Sequence, residues 1–301
     1  MPDLKYLKYM LREFKNVFEF YLIPFLAVIF PNKIFYPIFK FVCRYTFLYN
    51  KYSQNSYSEA KKVIKVSQEK KTWDTHVKLL FLIDITDFWL ARFRPKKMLK
   101  LLNRSGNWHT DNGHMAMSLH WGSGYITLLD LKQHNLDPYF VYSETPVEFK
   151  FQSFIERQYR KARTKHINNI SGSMAIATGG GYDRIKNIVS NDGVPILLFD
   201  APQYNKETHY QLTVFNQKYN IAKGFVRLIC TEKINYQLYS VKLNYASGSR
   251  EISIKQLNNT QSEENLIKEL SLFFEELLTS SPEQWFFWRQ SSGLFMENSN
   301  E

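Results

Sequence analysis

Cysteine is scarce in this 301-residue chain: Cys43 and Cys230 lie far apart, with no CxxC or metal-ligand spacing around either. A disulfide scaffold or zinc site is therefore not expected, and a reducing compartment fits. Long apolar runs are also missing. The most apolar stretch, residues 17–30, contains Glu19 and Pro24, and a second, residues 34–48, contains Lys40 and Arg44. Neither reaches the roughly 20 apolar residues that a helical span needs, and no small-residue cleavage site follows either. Repeats, low-complexity tracts and Gly/Ser/Pro linkers are absent too, so the chain reads as one compact unit. Acidic residues are few, 28 against 39 Lys and Arg, giving a formal charge of +11. That imbalance implies a polyanionic partner: nucleic acid, an anionic lipid surface or an acidic carrier protein. No nucleic-acid-binding motif is recognisable, so nucleic acid is not expected.

Aromatic residues are abundant at 16%, with 24 Phe and 19 Tyr. They suit either an apolar or interfacial substrate or an aromatic-rich core. Residues 1–51 hold eight Lys or Arg against three acids, interleaved with aromatic and aliphatic side chains. Two readings stand for this segment: an anchor lying in a lipid headgroup region, or a helical hairpin folded onto the chain's own core.

Residues 1–105 read as helical, with a broad apolar stripe through residues 73–94 and a wholly basic set of charges from Arg92 to Arg104. From Gly113 the pattern changes to short apolar runs at 115–120, 139–143, 194–200 and 236–243, with helix-like segments at 123–134, 148–164 and 182–191. Strands alternating with helices predict an α/β fold, a mixed, largely parallel sheet flanked by helices. The expected organisation is a helical, membrane-associating N-terminal region over 1–105 and an α/β region over 106–301, forming one compact unit. Thr260 and Glu263 suggest a capping box before an amphipathic run from Leu266 to Leu278, a closing helix that should pack on the sheet.

The segment that bears on chemistry is Ser118-Leu119-His120-Trp121-Gly122-Ser123-Gly124-Tyr125. Here an apolar strand ends in a histidine, at the carboxyl end where open α/β sheets bind ligands. A packed or turn residue is the alternative reading of a single histidine at that place. Between Lys150 and His166 six basic residues face one acid, Glu156, and Arg157, Arg160 and Lys161 fall within about one helical turn. Such a helix is either a solvated face or a phosphate-facing one. The run Thr178-Gly179-Gly180-Gly181 lacks the Lys and Ser/Thr of a phosphate loop and reads as a turn. His109 and His114, near Asp111, match no metal-ligand spacing, and no metal is expected.

These landmarks resemble the late acyltransferases of bacterial lipid A assembly, within the wider glycerolipid acyltransferase group. That family carries strand-His-x-Gly-Asn-Trp-Glu, where this chain reads from His120 to Tyr125. Its Arg-rich helix is similar to residues 151–166, and its strand ending in Asp-Gln to residues 191–200, which end in Asp200. Its Pro-Glu-Gln-Tyr/Trp-x-Trp motif resembles Pro282-Glu283-Gln284-Trp285-Phe286-Phe287-Trp288, with one residue more before the second aromatic. The resemblance covers about residues 110–290. It implies a glycerolipid acyltransferase-like fold and transfer of an acyl chain from a thioester, on acyl carrier protein or coenzyme A, to a hydroxyl of a lipid or glycolipid. A lipid A precursor is the family's acceptor, and a pigment or polyketide head group is a further possibility. The implied place is the cytoplasmic face of a bacterial inner membrane, with no metal or organic cofactor required.

His120 is then the general base. The resemblance further implies substrate contacts at Trp121, Gly122, Ser123, Gly124 and Tyr125. Arg160, with Arg157 and Arg163, is expected at phosphate or oxyanion groups. The family's motif carboxylate is replaced by Tyr125, so another acid must partner the imidazole. Asp111, Asp130, Glu144 and Asp200 are the candidates, with Asp200 favoured as the strand-end acid; the Tyr125 hydroxyl is an alternative acceptor. The same replacement admits a catalytically degenerate homologue that binds a lipid or an acyl carrier.

Overall fold

A computed structural model of the chain describes residues 4–142, 153–171, 176–177, 181–201, 209–291 and 294–296. Seven helices come first: α1 (Leu4–Val17), α2 (Ile23–Ile29), α3 (Asn32–Tyr45), α4 (Asn50–Ser53), α5 (Ser56–Val63), α6 (Lys70–Phe93) and α7 (Pro95–Leu99). The region expected to be wholly helical ends in a strand, β1 (Leu102–Ser105), paired in parallel with β9 (Arg250–Ile254). β1 is mostly exposed and reads Leu-Asn-Arg-Ser, so it carries no alternation of apolar and polar residues that would announce a strand.

The remaining strands of the sheet are β2 (Met115–Ser118), β3 (Asp137–Tyr142), β4 (Ile176–Ala177), β5 (Gly193–Leu198) and β8 (Tyr236–Leu243). Their order is β1-β9-β8-β2-β5-β3-β4, and all neighbours run parallel except β8 and β9. The expected strands at 115–120, 139–143, 194–200 and 236–243 thus have counterparts within two residues at their starts. They were legible because parallel strands are covered on both faces and read as continuous apolar runs. An antiparallel hairpin, β6 (His209–Val214) and β7 (Gln217–Ala222), extended by β10 (Phe295–Met296), forms a second sheet that the sequence reading did not anticipate. Phe215 and Asn216 between its strands both have positive φ, the geometry of a tight two-residue hairpin turn.

The helices between strands are α8 (Ile126–Gln133), α9 (Phe154–Ile170), α10 (Tyr182–Ser190), α11 (Lys223–Glu232) and α12 (Glu263–Ser280). Residues 148–152 of the expected basic helix, and Glu144, lie outside the described residues, as do Thr178, Gly179 and Gly180. α12 is capped by Ser262, whose hydroxyl accepts from the Asn265 N–H. This corrects the expected Thr260 cap: the Thr260 hydroxyl lies two residues before the cap and accepts instead from the Ser262 N–H.

Alternation along the strands sorts the core into two layers. Met115, Met117, Tyr236 and Leu238 join Leu266, Leu270 and Phe274 of α12 on one face. Ala116, Tyr239, Val241 and Leu243 join Leu80, Ile83 and Phe88 of α6 and Ile126 of α8 on the other. The helix α6 is buried around most of its circumference, as a helix does when it lies between a sheet and further helices. Those further helices are α2 and α3, which bury Ile23, Ala27, Val28, Phe35 and Phe39. Their other sides remain open, with Ile29, Ile34, Ile38 and Phe41 exposed. Among the described residues no helix is long and apolar enough to cross a membrane.

Candidate active site

β2 and β5 are central neighbours that run parallel, so their carboxyl ends bring His120 and Asp200 together across 80 residues of sequence. The Asp200 carboxylate is fully buried and His120 about one-third exposed. Oδ1 lies 2.8 Å from imidazole Nδ1 and 2.9 Å from the His120 backbone nitrogen. Oδ2 accepts a second 2.9 Å bond from that backbone N–H and a 2.8 Å bond from Trp285 Nε1. An ionised carboxylate only accepts hydrogen bonds, so Nδ1 carries the proton of the neutral ring and Nε2 keeps its lone pair. Nε2 has no hydrogen-bond partner among the described residues. The result is a basic nitrogen on a fixed ring at the edge of the protein, the arrangement a general base requires.

The turn after His120 is built for rigidity. Gly122 has φ +67°, and a Cβ there would meet the Val241 carbonyl oxygen at 1.8 Å. Only glycine combines that handedness with so close an approach to backbone. The Gly122 N–H donates to the Gln284 carbonyl and the Ser123 N–H to the Val241 carbonyl, each at 2.9 Å. Both amides are therefore used within the protein and are not free to bind a substrate oxygen. Ser123 is buried, its hydroxyl donating to Asp87, and Asp87 in turn pairs with the fully buried Arg250. Trp121 is buried as well, its indole N–H donating to the Ser281 carbonyl at 3.0 Å. The side chains of Trp121 and Ser123, expected at substrate, are thus both bonded within the protein. Gly124 is exposed with open space where a Cβ would lie, so no close approach demands glycine there.

Tyr125 is turned away from His120. Its hydroxyl lies 2.7 Å from His166 Nδ1, and the Arg163 guanidinium sits 5.0 Å above its ring. The alternative in which this hydroxyl serves the His120 imidazole is overturned. Burial pushes the phenol pKa up, against the pull of Arg163, so it remains a neutral hydroxyl. Asp130 is committed elsewhere, to Arg104 and to Trp108 Nε1 at 2.7 Å. Asp111 is exposed before β2, at the opposite end of the strand from His120.

The three arginines of α9 divide. Arg163 makes a two-pronged ion pair with Asp84 of α6, at 2.5 and 2.9 Å, which engages its guanidinium within the protein. Arg157 and Arg160 are exposed, Arg160 bonding Glu156 at 3.1 Å. Among the described residues a shallow depression on this helix is lined by Arg160, Lys161, Thr164, Lys165 and Asn168. A chain of contacts joins α9 to the dyad. Lys51 pairs with Glu156 at 3.2 Å, Tyr52 stacks on Phe81 at 4.0 Å, and Phe81 packs on Phe286, whose N–H donates to the His120 carbonyl.

Trp285 and Phe287 are the site residues that sequence reasoning named only as part of a motif. Gln284 to Phe286 runs alongside His120 to Gly122, with Trp121 and Trp285 paired as in an antiparallel ladder. That pairing sends the Trp285 indole to Asp200 and sets the Phe287 ring 4.6 Å from the imidazole. Among the described residues no group of three or more His, Cys, Asp or Glu side chains could hold a metal ion. No protein-family model matches the chain, and a search of curated proteins returns no match.

Proposed function

We propose that this protein is an acyltransferase of the glycerolipid acyltransferase type, acting at a membrane surface. The observation that carries the reading is the His120–Asp200 pair, a partly exposed imidazole backed by a buried carboxylate at adjoining strand ends. In this reading Nε2 takes the proton of an acceptor hydroxyl as its oxygen attacks the carbonyl carbon of an acyl thioester. The new C–O bond forms, the C–S bond breaks, and the proton on Nε2 passes to the departing thiolate, so atoms and charge balance. Asp200 supplies the anion that Tyr125 cannot, stabilising the imidazolium while the proton is held.

The donor is an acyl chain on acyl carrier protein or coenzyme A, and the acceptor a lipid or glycolipid such as a lipid A precursor. Both follow from the resemblance of the His120, Asp200 and Trp285 segments to the late lipid A acyltransferases, as does a place on the cytoplasmic face of a bacterial inner membrane. Arg157 and Arg160 are the exposed cations for phosphate groups on donor or acceptor. The exposed apolar side chains of α1 to α3 and the charge of +11 support a protein resting on an anionic bilayer.

Transfer of radiolabelled acyl chains from acyl carrier protein to a bacterial lipid extract tests the proposal. His120→Ala is expected to abolish transfer, and Asp200→Asn to lower it by about 10⁴, roughly 5–6 kcal/mol of barrier. Equal background rates in all three proteins would remove the enzyme. That outcome would favour the degenerate homologue, a lipid- or carrier-binding protein, for which Tyr125 and the occupied Gly122 and Ser123 amides speak.

A further inference from the structure

We propose that Trp285 is a positioning residue for the His120–Asp200 dyad: its indole N–H, spent on one carboxylate oxygen, reserves the other for the imidazole. The inference rests on the reading of His120 as a base. Asp200 is buried with no water-facing surface, so every lone pair left unsatisfied there costs free energy. Four contacts meet the need, two from the His120 backbone N–H, one from Nδ1 and one from Trp285. Without the indole, Oδ2 would keep only a share of a forked backbone bond, and the carboxylate would be free to turn its second oxygen toward Nδ1. The ring that carries the N–H is itself fixed, 2% exposed and edge-on to Phe274, Trp288 and Phe295 at 5.4, 4.8 and 5.7 Å. Its backbone is stitched to the catalytic turn by the Trp121–Trp285 bridge. One short segment therefore both aims the donor at the carboxylate and sets the Phe287 ring beside the imidazole.

The surroundings leave few other groups to set the charge of the dyad. From β7, Tyr219 donates its hydroxyl to the Asp200 main-chain oxygen at 2.6 Å, not to the carboxylate. Within the 282–290 segment, the Glu283 carboxylate accepts from Gln68 and Arg289 donates to the Lys51 carbonyl. Among the described residues the Trp285 N–H is thus the one side-chain donor to the carboxylate apart from the imidazole. A hydrogen bond to an ionised group is worth more than one between neutral groups. Removing it leaves the negative charge of the carboxylate more concentrated beside Nδ1, which favours the imidazolium.

The test is a titration of His120 by NMR in the full chain, read beside the pH profile of acyl transfer. In Trp285→Phe the His120 transition and the acid limb of kcat/KM should both move up by about one pH unit. kcat should fall about tenfold with KM unchanged, because the indole is buried behind the dyad. Tyr219→Phe, which leaves the carboxylate's donors in place, should lower stability without moving the His120 transition or the acid limb. In the wild type, the Trp285 indole N–H resonance should shift with pH along the His120 curve, a readout that needs no variant. An unmoved transition in Trp285→Phe, or an indole resonance indifferent to the His120 titration, would overturn the inference. The NMR transitions are read whether or not acyl transfer is detected, so loss of the enzymatic reading and loss of the positioning role are told apart.

Discussion

Arg250 is fully buried, and so is its partner Asp87. Burial holds the Asp87 carboxyl pKa above its ordinary value, against the opposing pull of Arg250 and the Ser123 hydroxyl. Two buried charges are tolerated when each satisfies the other, and either alone is costly. Arg250→Leu is therefore expected to destabilise the protein by about 3–5 kcal/mol in urea unfolding, and Asp87→Leu added to it to recover much of that loss. Because Asp87 also receives the Ser123 hydroxyl, the single variant should loosen the turn behind His120 as well. None of this was readable in sequence, since Asp87, Ser123 and Arg250 come from three distant segments. Asp200 was nearer to hand. The resemblance marked it as a strand-end acid, but only the pairing of β2 with β5 sets it 2.8 Å from the imidazole. Trp285 was visible as a motif residue, and its partner was not, because an indole N–H shows no periodicity and no sequence spacing to Asp200.

At the scale of elements, the N-terminal segment has a buried apolar side and an exposed one. Ile23, Ala27, Phe35 and Phe39 fold onto the core, while Leu11, Phe14, Phe41 and Tyr45 are 60–65% exposed, as is Phe47 just beyond α3 at 68%. A helical hairpin on the core and an apolar outer surface are two sides of the same helices. α1 also holds the basic helix, its Glu13 carboxylate accepting the Phe154 and Ile155 N–H groups at 3.0 Å each. Those bonds and the Tyr9 hydroxyl hold the Glu13 pKa below its ordinary value although burial opposes them. Sedimentation with phosphatidylglycerol vesicles should find the wild type bound, and more weakly at high salt as the basic contribution is screened. Phe14→Ser, Phe41→Ser and Phe47→Ser together should weaken binding by roughly 100-fold, at about 1 kcal/mol per ring withdrawn from the interface. The melting temperature should hardly change, because exposed rings contribute little to the folded core.

For the whole molecule, acid stability is set in part by histidines that folding keeps neutral. Burial lowers the pKa of His114 from 6.5 to about 4, and that of His76 likewise to about 4. The unfolded chain takes up these protons near pH 6.5 and the folded chain only near pH 4, so stability falls as pH drops through that window. For the fully buried His114 the loss approaches about 3 kcal/mol, and for the partly exposed His76 it is smaller. Urea unfolding at pH 7, 5.5 and 4.5 should show the decline, with a shallower slope in His114→Asn; equal slopes would refute it. What the sequence by itself determined is the class of the fold, and it marked where a candidate site should lie. Apolar runs of strand length alternating with helical stripes require a largely parallel sheet with covered faces, and a histidine ending such a run stands at the carboxyl edge of that sheet. The polar edge strand β1, the hairpin of β6 and β7, and the partners of His120, Ser123 and Tyr125 were decided by the tertiary structure alone. Their pairings join residues far apart in the chain, and local patterning carries information only about neighbours along one strand or one helix.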